Sequence, residues 1–396
     1  MQPPFCARAP VSQNQQRFVA LDSCRGICAV LVAIHNFGTW LPQLYGSTFI
    51  QNSALFVDFF FVLSGFVITH SYMHRITSRT DLGLFMLRRC GRLLPLHATM
   101  FACLFGLELL KLVMATWFAQ PIEIPAYQDE YSLRTIPENL LLLQALNLHG
   151  RPTWNAPSWS ISTEFWTYLL FAGICLFSPK RGPPVFFMAL VAILAAAVVL
   201  LWSPAFLVTN SDYAIFRCIY GFFVGHLVYR VWAVSNRQIR TRGLVEISAL
   251  VLAGGFVGLS SGIWTMAAPL LFGFVVWMFA HEAGPLEKTL RMRPLVQLGA
   301  WSYSIYMVHW LVGSVLFRVS KVASILFERY VVPSFVDTNL PWVSHIFRQL
   351  ISLSSILDLT IVLSYLVVVI TLSACTFEFI ERPGRRFFND LSERLR

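Results

Sequence analysis

Apolar runs about as long as a membrane-spanning helix recur along the chain, separated by short polar segments that carry most of the charge. A spanning helix needs roughly 17–25 apolar residues. Windows near 26–44, 54–73, 93–118, 158–178, 185–202, 213–232, 244–261, 263–281, 296–317 and 357–379 satisfy this. They predict an all-α integral membrane protein with about ten transmembrane helices, organised as one domain over 1–396. Residues 1–20 are expected to be a polar N-terminal segment and 382–396 a short tail. The first apolar run has no small-residue cleavage site behind it, which predicts a retained helix and not a removed signal peptide.

Charge placement tests the ten windows independently. If the N-terminus is cytoplasmic, most of the 30 lysines and arginines fall on the inner side, in segments such as Arg75–Arg92, Arg230–Arg242 and Arg382–Arg396. The outer segments hold Arg134, Arg151, Arg318, Lys321, Arg329 and Arg348, while Lys111 and Arg217 fall within windows. This positive-inside bias predicts both termini in the cytoplasm. The chain is 56% hydrophobic and 13% charged, whereas a soluble domain carries about a quarter charged residues. A chain this apolar cannot cover its own surface in water. The net charge of +10 would ordinarily suggest nucleic acid. Here the cations lie between apolar runs, so the expected surroundings are lipid and no nucleic-acid partner is implied. Eight cysteines without a CxxC spacing suggest neither a disulfide framework nor a zinc site. His70 and His74 have a metal-compatible spacing, but no carboxylate stands beside them, and no metal is expected.

Ionisable residues inside apolar windows need a physical reason, because each costs about 2.5–3.5 kcal/mol at the bilayer centre. His35 stands nine residues into the first window, about 13 Å deep at 1.5 Å per residue. It is either a neutral imidazole satisfied by a neighbour or a general base. Asp22 and Arg25 stand three apart, a spacing that lets them pair on one helical face. Arg25 is either an interfacial anchor or a phosphate ligand. The segment Arg88-Arg89-Cys90-Gly91-Arg92 raises the same two alternatives, with Pro95 in the following turn. Glu164 opens the fourth apolar window, where it would bind sugar hydroxyls, steer a proton, or pair with Arg217 or Lys111. Glu108 and Lys111 are spaced as a structural pair. Tyr303, Tyr306 and His309 share one stripe that could line a polar cavity. Two outer loops, near 119–157 and 318–356, are long; the first carries Glu123, Tyr127, Asp129, Glu130, Tyr131 and Glu138, which are platforms for a polar acceptor or an ordinary solvated loop.

Several of these motifs together resemble the bacterial acyltransferase-3 family of membrane O-acyltransferases. They are Leu21-Asp22-Ser23-Cys24-Arg25-Gly26-Ile27 followed by His35, then the run from Val57 and Asp58 through Ser64-Gly65-Phe66. Arg88-Arg89 with Arg92 and Pro95 come next, then Trp159 through Glu164, Ser302 through Tyr306 with His309, and Glu378 with Glu381-Arg382-Pro383. The order is the family's and the motifs cover nearly the whole chain. The resemblance implies transfer of an acyl group, often acetyl, from cytoplasmic acyl-CoA to a hydroxyl. The implied acceptors are a surface polysaccharide, a lipid-linked sugar, a Nod-type oligosaccharide or a small natural product. No permanently bound cofactor is implied; acyl-CoA is a co-substrate. The implied location is the bacterial cytoplasmic membrane. Of the site residues, His35 would be catalytic with Glu164, and Arg25, Arg88, Arg89 and Arg92 would hold acyl-CoA. Asp22, Asp58, Ser64, Tyr303 and His309 would support them.

The chain departs from the family pattern in two places. Nine residues separate Arg25 from His35 where the family has ten, so on a regular helix the two lie about 80° apart. Either the helix is locally irregular or Asn36 takes the family's histidine position. Asparagine cannot act as a base, so His35 remains the candidate. Phe165 replaces the second of two acids often found in the fourth motif. A transporter exporting a glycan or acylated molecule is the alternative, though no related halves are visible. A lipid-sugar glycosyltransferase would be expected to carry acids in an early outer loop, and Trp40–Ala54 has none. Oligomeric state cannot be read from the sequence.

Overall fold

Away from water every backbone amide must find its partner within the protein, and a helix satisfies its own. Helices are what this chain forms. The structure, a computed structural model, describes residues 17–38, 46–118, 125–148, 150–178, 183–235, 243–282, 284–330 and 354–396. Among them there is no strand. Helix α1 spans Val19–Gly38, α2 Phe56–Tyr72, α3 Arg79–Phe118, α4 Trp159–Leu176 and α5 Val185–Trp202. Helix α6 spans Ala214–Val234, α7 Gly243–Leu259, α8 Ala268–Phe279, α9 Arg293–Tyr330 and α10 Ser354–Thr376. A π-helical turn at Phe377–Glu381 then leads into a tail helix, α11, at Arg382–Arg394.

All ten predicted windows contain helix. Among the described residues, seven segments are long and apolar enough to cross a membrane: Val19–Gly38, Thr48–Tyr72, Arg79–Trp117, Val185–Trp202, Ala214–Val234, Gly262–Phe279 and Leu359–Arg394. Helix α7 is a shorter apolar helix. Helices α4 and α9 are missing from the seven, diluted by Ser160, Thr163, Glu164, Ser302, Tyr303 and His309. All but partly covered Glu164 of these six are buried inside the protein. Both helices that lack an apolar enough stretch thus carry polar side chains inward.

Two helix crossings set the core. Helix α2 packs on α6, where a Cβ on Gly65 would stand 1.9 Å from the Phe222 carbonyl oxygen and one on Gly225 1.9 Å from that of Val62. Small residues are how helices gain contact where hydrophobic exclusion from water cannot drive them together. Around this crossing Phe59, Phe61, Phe66, Phe222 and Phe223 are buried. Gly225→Ala is expected to force the pair apart and cost about 1–3 kcal/mol, seen as a lower thermal midpoint in detergent. Gly254 on α7 has no atom near its would-be Cβ, so Gly254→Ala is the control and should not lower the midpoint.

Helix α1 packs on α9 and α3 on α11. Along the second half of α3, Phe101 and Leu104 form a second small core with Trp154, with Tyr127 and Tyr131 against it. Asp129 pairs with Arg151 at 3.1 Å. These loop aromatics and acids thus hold their own loop together. Glu123, residues 1–16 and residues 331–353 of the second long loop lie outside the described residues.

Candidate active site

Helix α1 begins seven residues before its predicted window, because Asp22 and Arg25 are satisfied locally. Asp22 accepts from Arg17 at 3.0 Å and pairs with Arg25 at 3.3 Å. Arg25 donates from Nε to Ser302 Oγ at 2.7 Å and from a terminal nitrogen to the Gly299 carbonyl at 2.9 Å. That reach depends on Gly26 and Gly299. A Cβ on Gly26 would stand 2.6 Å from the Gly299 nitrogen, so α1 and α9 touch backbone to backbone.

Beside this crossing lies a cavity of about 140 Å³ between α1, α2, α3, α4 and α9. Asp22, Arg25, Arg89 and Arg92 line it toward the N-terminal end of α1, and Phe60, Ser160 and Tyr306 line it further along. Midway stands Glu164, whose Oε1 accepts from Ser64 Oγ at 2.5 Å and from the Tyr168 hydroxyl one turn away. The Tyr303 hydroxyl donates to the Leu93 carbonyl at 2.7 Å, joining α9 to α3. Arg89 lies over the rings of Tyr72, Phe85 and Tyr168, with its Cζ 5.3, 5.6 and 5.7 Å from their centroids. The cavity thus offers guanidinium groups at one end and a carboxylate with two fixed hydroxyls midway. Planar guanidinium groups suit phosphate oxygens, and their directional donors fix a ligand's register.

The structure brings together Asp22, Arg25, Ser64, Arg89, Arg92, Glu164 and Tyr303 from the predicted set. It places the rest elsewhere. Arg88 turns away and donates to Ser392 Oγ of α11 at 2.8 Å. Asp58 binds Arg217 through both carboxylate oxygens, at 3.1 and 2.8 Å, so Glu164 pairs with neither Arg217 nor Lys111. Glu108 takes Lys111 at 3.6 Å, as its spacing predicts, and also Arg318 at 2.6 Å.

His35 lies in the last turn of α1 and not midway along it. The helix is α-helical throughout, so no irregularity realigns His35 with Arg25. The two sit about 15 Å apart along the axis. His35 Nδ1 bonds the Ile50 carbonyl at 2.9 Å. A carbonyl only accepts, so Nδ1 carries the proton and Nε2 of the neutral ring is basic. Asn36 Nδ2 donates to the Val32 carbonyl at 3.0 Å. His309 is fully buried, its ring 5.8 Å from that of cavity-lining Tyr306. The Tyr365 hydroxyl ties the Ala33 and His309 carbonyls together at 3.3 Å each. The Tyr303–Tyr306–His309 stripe therefore leads from the cavity toward His35.

Arg385 is a residue that sequence reading assigned only to membrane anchoring. The π-helical turn buries Glu381, which accepts from Ser304 Oγ at 2.8 Å and pairs with Arg385. Arg385 is thereby held in α11, the helix that packs on α3 and so on the arginine-bearing turn. The Glu381–Arg385 spacing of one helical turn was the available signal. Glu378 and Arg382 pair at the surface at 2.7 Å.

Residues 18–378 match the Acyltransferase domain family, Acyl_transf_3. The chain belongs to this family and is an acyl-transferring enzyme with several membrane-type helices. It is 27% identical to "Acyltransferase MdmB" of Streptomyces mycarofaciens over 339 residues, covering 78% of this chain and 80% of that protein. It is also 32% identical to "Protein 2 in picA locus" of Rhizobium radiobacter over 165 residues, covering 38% of this chain and 78% of that protein. No solved structure matches.

Proposed function

We propose that this acyltransferase moves an acyl group, acetyl in the simplest case, from cytoplasmic acyl-CoA to a hydroxyl of a carbohydrate-type acceptor. The acceptor classes are a surface polysaccharide, a lipid-linked sugar or a Nod-type oligosaccharide. In this reading ten helices span the bacterial cytoplasmic membrane with both termini inside, and the N-terminal end of α1 faces the cytoplasm. The observation that carries the proposal is the spacing of two chemistries along α1: a cationic cavity around Arg25, and a basic imidazole about 15 Å further on. Acyl-CoA has the matching form, with phosphates separated from its thioester by a long pantetheine arm.

Arg25, Arg89 and Arg92 hold the diphosphate, and the arm runs past Glu164 and Tyr306. Glu164 fixes the direction of the Ser64 and Tyr168 hydroxyls along that path. At His35 the acceptor hydroxyl gives its proton to Nε2 while its oxygen bonds to the thioester carbonyl carbon. The tetrahedral oxyanion then collapses, the carbon–sulfur bond breaks, and the CoA thiolate takes up the proton. His309, held against Tyr306, sets the environment of His35. Arg92→Ala is expected to raise the KM for acetyl-CoA about tenfold or more, as loss of a charged hydrogen bond implies, with kcat little changed. Acceptor-dependent thiol release checks this; an unchanged KM with a collapsed kcat would remove Arg92 from donor binding.

A further inference from the structure

A second cavity, of about 440 Å³, opens on the other side of Arg89. This volume is within the roughly 300–1,000 Å³ of small-ligand pockets. Arg75, Arg88, Arg396 and His74 line it, together with Tyr72 and Phe85. Its acid, Asp81, is engaged locally: Oδ2 accepts from Ser78 Oγ at 2.8 Å, Thr77 Oγ1 at 3.0 Å and the Thr77 amide at 3.1 Å. The chamber is therefore net cationic.

One layer of side chains separates the two cavities. Tyr72 and Phe85, with rings 4.8 Å apart, line the second. Arg89 and Tyr168 line the first, and the Arg89 guanidinium stacks on the rings of all three aromatics. The Tyr72 hydroxyl accepts from Arg89 at 3.3 Å. Adjacent residues of α3 thus present guanidinium groups to two chambers, Arg88 to one and Arg89 to the other. Ser392 holds Arg88 in its direction by accepting from Nε.

Resting on the acyl-CoA reading above, we infer that the Arg88 chamber binds the 3′-phosphoadenosine end of the donor, with Arg88 and Arg75 on the 3′-phosphate. The diphosphate then lies beside Arg89, where the chambers meet, and the two cavities form one donor site in two compartments.

The test is binding of CoA and of 3′-dephospho-CoA to purified protein in phosphatidylcholine nanodiscs, by titration calorimetry. Wild type should bind CoA on the order of tenfold more tightly than 3′-dephospho-CoA. Arg88→Ala should lower that ratio severalfold, and Arg88→Ala with Arg75→Ala should bring it close to one. Arg88→Lys, which keeps a charge and tests against misfolding, should restore part of it. Arg89→Ala should weaken both ligands and keep the ratio. A ratio undiminished in Arg88→Ala, or a wild-type ratio of one, overturns the inference and leaves acyl-CoA as donor. If wild type binds neither ligand, the donor reading itself falls. If Arg88→Ala changes retention of phosphatidylglycerol but not the nucleotide ratio, the chamber belongs to a lipid headgroup and the inference is overturned.

Discussion

His35→Ala is expected to lower acyl-transfer turnover by about 10²- to 10⁴-fold, the range a positioned general base supplies, while CoA affinity stays unchanged. The separation of roles follows from geometry, since His35 stands about 15 Å along α1 from Arg25. Its tautomer is set by the Ile50 carbonyl at 2.9 Å, which leaves Nε2 as the basic nitrogen. A single variant therefore distinguishes proton transfer from donor binding, when turnover and CoA affinity are measured on the same preparation. Loss of CoA affinity in step with turnover would place His35 in the donor site. Turnover at the wild-type rate would remove it from the chemistry.

Asp58→Ala is expected to cost about 3–5 kcal/mol of stability, the usual consequence of stranding a buried charge. Arg217 is 2% and Asp58 0% exposed. Arg217 also donates to the Thr209 carbonyl at 2.7 Å and the Ala54 carbonyl at 3.1 Å, and lies 5.2 Å over the Trp159 ring. One guanidinium thus ties α6 to α2, to the approach to α2 and to the start of α4. Removing the carboxylate leaves that cation unneutralised. Removing both charges, in Asp58→Ala with Arg217→Met, should be less harmful than Asp58→Ala alone. Thermal unfolding in detergent reads both variants. An Asp58→Ala protein as stable as wild type would mean that the pair holds nothing together.

The positions of the helices were legible in the sequence because hydropathy reports them directly. Their ends were less so. The first window began at residue 26, but the helix starts at Val19, since Asp22 pairs with both Arg17 and Arg25 and α9 supplies Arg25 with further partners. Hydropathy cannot register that compensation. The rotation of α3 was equally hidden. Arg88, Arg89 and Arg92 form one motif in the sequence, yet their directions depend on Tyr72, Tyr168 and Ser392, which arrive from other helices. Arg385 escaped for a related reason. In a basic tail it reads as an anchor, and the π-helical turn that buries Glu381 beside it has no hydropathic signature. By contrast the Tyr303–Tyr306–His309 stripe follows from helical periodicity alone; Tyr303 and Tyr306 line the cavity, while His309 packs against Tyr306 outside its lining.

Thiol release from acetyl-CoA by the purified wild-type protein in nanodiscs, with and without a pool of glycan and lipid-linked saccharide acceptors, tests the central claim most directly. The account predicts release that depends on acceptor and labels it with acetyl. Binding and consumption of no acyl-CoA, whatever acceptor is supplied, would contradict it.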